Sequence, residues 1–127
     1  MKLKSEQRKK ILDMILAKKN DIAEELVDCD GCIEDGNIEA WSVFTPKDLL
    51  EIFYSANGNV GYWECPSSHD CPGEEGYTID YSIIMESIVW YEPTEEDDDI
   101  VHYADQETLD WLNGKLSALY YDGIRFY

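Results

Sequence analysis

Positive charge is scarce in this chain and sits mostly at one end. Its 127 residues hold ten Lys and Arg against 28 Asp and Glu, a formal net charge of −18 with a pI near 4.1. A surface this acidic repels nucleic acid phosphates and anionic membranes, so direct binding to either is disfavoured. Long apolar runs are also missing: nothing approaches the 18 or more residues that span a bilayer. There are only two histidines, His69 and His102. The GxSxG elbow, the phosphate loop, the dinucleotide-binding glycine pattern and the HExxH helix are all lacking, which leaves no motif that implies a catalytic mechanism. With 28 acids some carboxylate pair is always suitably spaced, so paired carboxylates point to no particular reaction. The expectation is a protein that is not an enzyme.

Apolar residues, by contrast, are plentiful. They make up 44% of the chain, 13% being aromatic, which is enough for one packed core and too much for global disorder. The length suits a single domain over residues 1–127. The start of the chain is basic but lacks the uninterrupted apolar segment and small-residue cleavage site of a signal peptide: Ile11–Ala17 is broken by Asp13 and followed by Lys18-Lys19. An intracellular, cytoplasmic protein is expected.

Residues 1–19 carry seven basic residues against two acids, a balance of +5, while the remainder carries three against 26, a balance of −23. The spacing of Ile11, Leu12, Ile15, Leu16, Ile22, Ala23 and Leu26 predicts a basic helix over about 4–27, with Ser5 as its cap. A strand is expected at Ile38–Phe44, with Trp41 in the core. Thr45-Pro46-Lys47-Asp48 reads as a helix start, Leu49, Leu50, Ile52 and Phe53 as its apolar side, and Asn57-Gly58-Asn59 as its end. Val60–Glu64 reads as a short strand. Tyr77–Tyr91 alternates strongly, with a slip near Ser87 that suggests a bulge or turn. A last helix is predicted from Asp105 or Thr108, with Leu109, Leu112, Leu116 and Leu119 inside and Asp122-Gly123 as its end; Ile124–Tyr127 is placed at a sheet edge. The class is α+β, one antiparallel sheet packed with about three helices.

Four cysteines fall in two loops, Cys29-Asp30-Gly31-Cys32 and Cys65–Cys71, the second also holding His69. Zinc takes four thiolate or imidazole ligands in a tetrahedron, and short loops deliver them in pairs. A structural Zn²⁺ on Cys29, Cys32, Cys65 and Cys71, with His69 as a substitute ligand, is the first reading. Free thiols and a disulfide are the others. A thioredoxin-like role does not suit a CxxC that follows a helix and precedes a strand.

Acids crowd the segment Glu92, Glu95, Glu96, Asp97, Asp98 and Asp99, and Asp105, Glu107 and Asp110 extend them onto the last helix. Asp28–Glu34 has acids at positions 1, 3 and 7 of a calcium loop, but Ile33 stands where the EF-hand glycine belongs, so that motif fails. A solvated surface is one reading of the acids. The other is a docking surface for a basic nucleic-acid-binding protein, with carboxylates standing in for phosphates. In size, acidity, intracellular character and lack of a catalytic motif the chain resembles phage-encoded DNA-mimic inhibitors of the antirestriction and anti-CRISPR kind. That resemblance is compositional. It implies inhibition of a host defence nuclease, the RNA-guided type II nuclease first, by occupation of its basic groove. An immunity protein that neutralises a basic toxin is the alternative.

Overall fold

A computed structural model describes residues 3–65, 74–95 and 98–126. Three helices, α1 (Ser5–Ala17), α2 (Lys19–Asp28) and α3 (Gln106–Lys115), pack on an antiparallel sheet of β1 (Cys32–Trp41), β2 (Leu49–Cys65), β3 (Glu74–Glu92), β4 (Ile100–Tyr103) and β5 (Leu119–Phe126). The α+β expectation holds, in a single domain. The segment 45–57, expected to be a helix, is instead the first half of β2. Leu50, Ile52, Tyr54 and Ala56 are all buried, which is a period of two. The helix-start reading of residues 45–48 fails for a local reason. Lys47 has φ 67, outside helical space, and the Asp48 carboxylate accepts hydrogen bonds from the chain before it.

The basic N-terminal segment is helical but divided at Lys18, whose N–H bonds to the Ile15 carbonyl at 2.9 Å. In an unbroken helix Lys18 lies on the stripe of Ile11, Ile15 and Ile22, all buried; the tightened turn leaves it exposed. The cap is Lys4, not Ser5, and the Gln7 side chain accepts from the Lys4 N–H at 3.0 Å. Arg8 turns inward onto α3, where it donates to Thr108 Oγ1 at 3.0 Å and pairs with Asp105 at 3.4 Å.

β3 is the spine of the sheet. β2 lies along one side of it, and β4 and β5 share the other side, pairing with residues 89–92 and 74–81 respectively. The gap between them is closed by the end of α3: the Ile83 N–H donates to the Leu116 carbonyl at 3.0 Å and the Met85 N–H to Asn113 Oδ1 at 2.7 Å. The alternation slip near Ser87 is a bulge. Phe53 pairs with Ser87 and Tyr54 with Met85, which leaves Glu86 as the extra residue. The helices bury Ile11, Ile15, Leu26, Leu109 and Leu112 against Ile52, Ile79, Ile83, Met85 and Ile88. Each such side chain contributes roughly 1.5–3 kcal/mol. The last helix stops at Lys115, so Leu119 and Asp122-Gly123 belong to β5, and the edge strand expected from Ile124 begins five residues earlier. Among the described residues no helix is long and apolar enough to cross a membrane.

Candidate functional site

The helices pack on one face of the sheet, and the register shows what the other face carries among the described residues. Trp41, Leu49, Tyr91 and Val101 stand side by side across β1, β2, β3 and β4. Two residues along, on the same face, come Glu39, Glu51, Val89 and Tyr103, with Val89 buried among its neighbours. Phe53 extends the patch along β2. Neighbouring strands are about 4.8 Å apart, so Trp41 and Val101 lie about 14 Å from each other. Trp41, expected in the core, is 68% exposed, and Tyr103 is 64% exposed. Exposed apolar and aromatic side chains grouped on one sheet face, as Trp41, Val101 and Tyr103 are, mark an interaction surface more often than chance.

Two carboxylates sit inside this patch. Glu39 and Glu51 are directly opposed across β1 and β2, a like-charge pairing that destabilises a sheet. Among the described residues neither makes an ion pair. Glu51 accepts from the Tyr91 hydroxyl, and partial burial together with that carboxylate holds the Tyr91 phenol above its usual value.

The end of the patch is fixed by a buried carboxylate. Asp48 is fully buried, and its Oδ2 accepts from the N–H of Phe44 and Thr45, both at 2.9 Å, and from the Trp90 indole at 2.8 Å. Its Oδ1 accepts from the Val43 N–H at 2.6 Å. Desolvation pushes its carboxyl up, but these donors outweigh that and leave it below the ordinary value. The β1–β2 connection, with Trp41 at its entry, is thereby tied to β3. On the helix side of the sheet His102 stacks on Trp90, with ring centroids 4.9 Å apart, and bonds Glu92 at 2.9 Å.

Of the nine acids expected to form one docking surface, the seven described do not share a face. Glu95, Asp98 and Asp99 are exposed at the end of the sheet, beyond the row of Tyr91 and Val101. Glu92 is held by His102. Glu96 and Asp97 lie outside the described residues. Asp105, Glu107 and Asp110 belong to the helix layer, where Asp105 has a structural task. It caps α3 and accepts from the Thr108 hydroxyl at 2.6 Å and N–H at 3.3 Å, and from the Leu3 N–H at 3.3 Å. Led by the Thr108 hydroxyl, these bonds bring its carboxyl down to about 2. Glu107 faces Arg8 at 3.8 Å, and Asp110 accepts from Gln106 at 2.9 Å.

No protein family, curated protein or solved structure matches the chain.

Of the cysteines, Cys29 and Cys32 are exposed free thiols. Cys65 ends β2, while Cys71 and His69 lie outside the described residues. Cys32 pairs with Asn57, and β2 runs on from Asn57 to Cys65. Eight steps of about 3.3 Å are about 26 Å along a straight strand. Two sulfurs on one zinc lie within about 4.6 Å, twice the Zn–S distance of about 2.3 Å. Among the described residues no three His, Cys, Asp or Glu side chains converge as a metal site. A groove of about 500 Å³ between Asn57, Tyr81, Ser117 and Tyr120 offers a single carboxylate, Asp80, with no histidine, cysteine or basic side chain.

The sequence reading missed Glu39, Glu51 and the exposure of Trp41 and Tyr103. The signal was present in the alternation of Asn37, Glu39 and Trp41 against Ile38 and Ala40, which assigns the first set to a single face.

Proposed function

We propose that this chain is a binding protein whose open sheet face takes a cationic segment of another protein. The observation that carries the reading is the opposed pair Glu39 and Glu51 inside an exposed aromatic patch. An arginine or lysine laid between those carboxylates relieves their repulsion. Its stem and flanking residues cover Trp41, Tyr91, Val101 and Tyr103, with a further contribution from cation–π contact. Glu95, Asp98 and Asp99 at the end of the sheet, and the net charge of −18, steer a basic partner toward it.

The partner class we favour is a basic nucleic-acid-handling protein, with an RNA-guided type II nuclease as the first candidate. Acidity and size support that choice. No catalytic role is part of the proposal. Thiol spacing alone supports the expected structural zinc on Cys29, Cys32, Cys65 and Cys71, and the run of β2 between Asn57 and Cys65 counts against all four sharing one ion. Its test is the metal content taken up below.

The deciding experiment is capture of a partner from a host lysate at low and high salt, with the parent and two variants, Trp41→Ser/Tyr103→Ser and Glu39→Gln/Glu51→Gln. The reading expects a basic protein that competes with DNA, is lost at high salt and is lost in both variants. Loss of an anchoring Trp alone costs on the order of 2 kcal/mol, roughly 30-fold in affinity. A partner that both variants retain sinks the reading. A captured toxin that ignores DNA selects the immunity alternative.

A further inference from the structure

The CxxC turn is built more rigidly than a surface connection needs. At the end of α2 the Cys29 N–H donates to the Glu25 carbonyl at 2.9 Å, and the Gly31 N–H to the Leu26 carbonyl at 2.7 Å, a six-residue closing bond with Asp30 in the left-handed region at φ 56. The Cys32 N–H then returns to the Cys29 carbonyl at 3.3 Å, and the Gly58 N–H donates to the Gly31 carbonyl at 2.9 Å. Gly31 has φ 86, and a Cβ there would meet the Gly58 oxygen at 2.5 Å, so the turn is pinned to β2. Two exposed free thiols are thus carried three residues apart on a hydrogen-bonded turn. They supply two of the four ligands a tetrahedral thiophilic cation requires. Among the described residues no third ligand joins them, and the sheet register carries Cys65 away.

We propose that this turn is half of a zinc site, completed by Cys29 and Cys32 of a second copy of the chain, so that one Zn²⁺ bridges two chains. The four thiols lose their protons to solvent as four Zn–S bonds form, leaving a site charge of −2. Asp28, Asp30, Glu34 and Asp35 are all exposed around the turn, so two such turns repel each other without the metal. The bridged dimer therefore forms only with zinc and tightens as salt rises. That sign is opposite to the one expected for a cationic partner on the open sheet face, and the inference stands independently of that face.

The test uses the full chain, reduced and stripped of metal, titrated with Zn²⁺ while mass is followed by light scattering at low and high salt. The expected result is a stoichiometry of about half an ion per chain, coincident with a shift from monomer to dimer. Co²⁺ in place of Zn²⁺ should give the absorption of a tetrahedral tetrathiolate. Cys29→Ser should abolish metal uptake and dimerisation together, while Cys71→Ser leaves both intact; the metal-free parent serves as the folded reference for each. One zinc per monomer that is lost in Cys71→Ser overturns the proposal in favour of a site within one chain. A chain that takes up no zinc under reduction overturns it outright.

Discussion

Replacing Asp48 probes the junction that fixes the end of the aromatic sheet face. Its carboxylate is fully buried and accepts four hydrogen bonds, three from backbone N–H groups and one from the Trp90 indole. Asp48→Asn keeps one acceptor oxygen. Placed at the Oδ2 position it still serves Phe44, Thr45 and Trp90, but the amide then turns an N–H₂ toward the Val43 N–H, and the charge is gone. One unmatched buried donor costs about 1–3 kcal/mol, so about 2 kcal/mol is expected. Asp48→Ala strands all four donors, of which the loop amides regain water, and about 4 kcal/mol is expected. Unfolding entropy near 2.1 cal/mol/K per residue, over 127 residues, gives about 0.27 kcal/mol/K. The two variants should therefore melt about 7 and about 15 °C below the parent, read by circular dichroism. The carboxyl is held below its ordinary value, so its stabilisation is present above about pH 4 and fades as pH falls through the folded value. Asp48→Asn should then flatten part of the acid limb of the stability curve. An Asp48→Ala protein that melts within a degree or two of the parent would refute the reasoning, because the four bonds would then contribute nothing net.

The Asp105 carboxyl, brought down to about 2, stabilises the fold above about pH 4 and ceases to do so as pH falls toward 2; Asp105→Asn should lose that acid dependence in a pH series of melting curves. Gly31→Ala places a Cβ against the Gly58 oxygen at a residue with φ 86, so it should lower the melting temperature by about 7–15 °C, corresponding to about 2–4 kcal/mol. Gly114 has open space where a Cβ would go and sits inside α3, so Gly114→Ala should raise the melting temperature by a few degrees, about 0.5–1 kcal/mol.

How far the chain could be read before its fold was known varies with what each segment had to decide. β3 was legible, bulge included, because Tyr77, Ile79, Tyr81, Ile83 and Met85 alternate against a covered face and the slip at Glu86 breaks the alternation where the strand pairing breaks. β2 was not. Its first residues carry Leu49, Leu50, Ile52 and Phe53, which fit a helix stripe and a strand equally, and the apparent helix start was a carboxylate serving N–H groups behind it. The α3 cap was visible in Asp105, but the same residue was also counted among docking acids. A charge tally cannot separate a carboxylate bound to Thr108 and Arg8 from one facing water. Trp41 was read as core because it is large and apolar. Only the pairing that aligns it with Tyr91 and Val101 places it on the side of the sheet away from the described helices.

The central claim is that the aromatic face around Glu39 and Glu51 receives cationic side chains. Titrating isotopically labelled protein with a short arginine-rich peptide, and following backbone amide signals by NMR, tests this directly. The account predicts saturable shifts centred on Glu39, Trp41, Glu51, Tyr91 and Tyr103, shrinking as salt is raised and absent in Glu39→Gln/Glu51→Gln. Shifts scattered over the acids of α3 and the loops, with the sheet face silent, would contradict it.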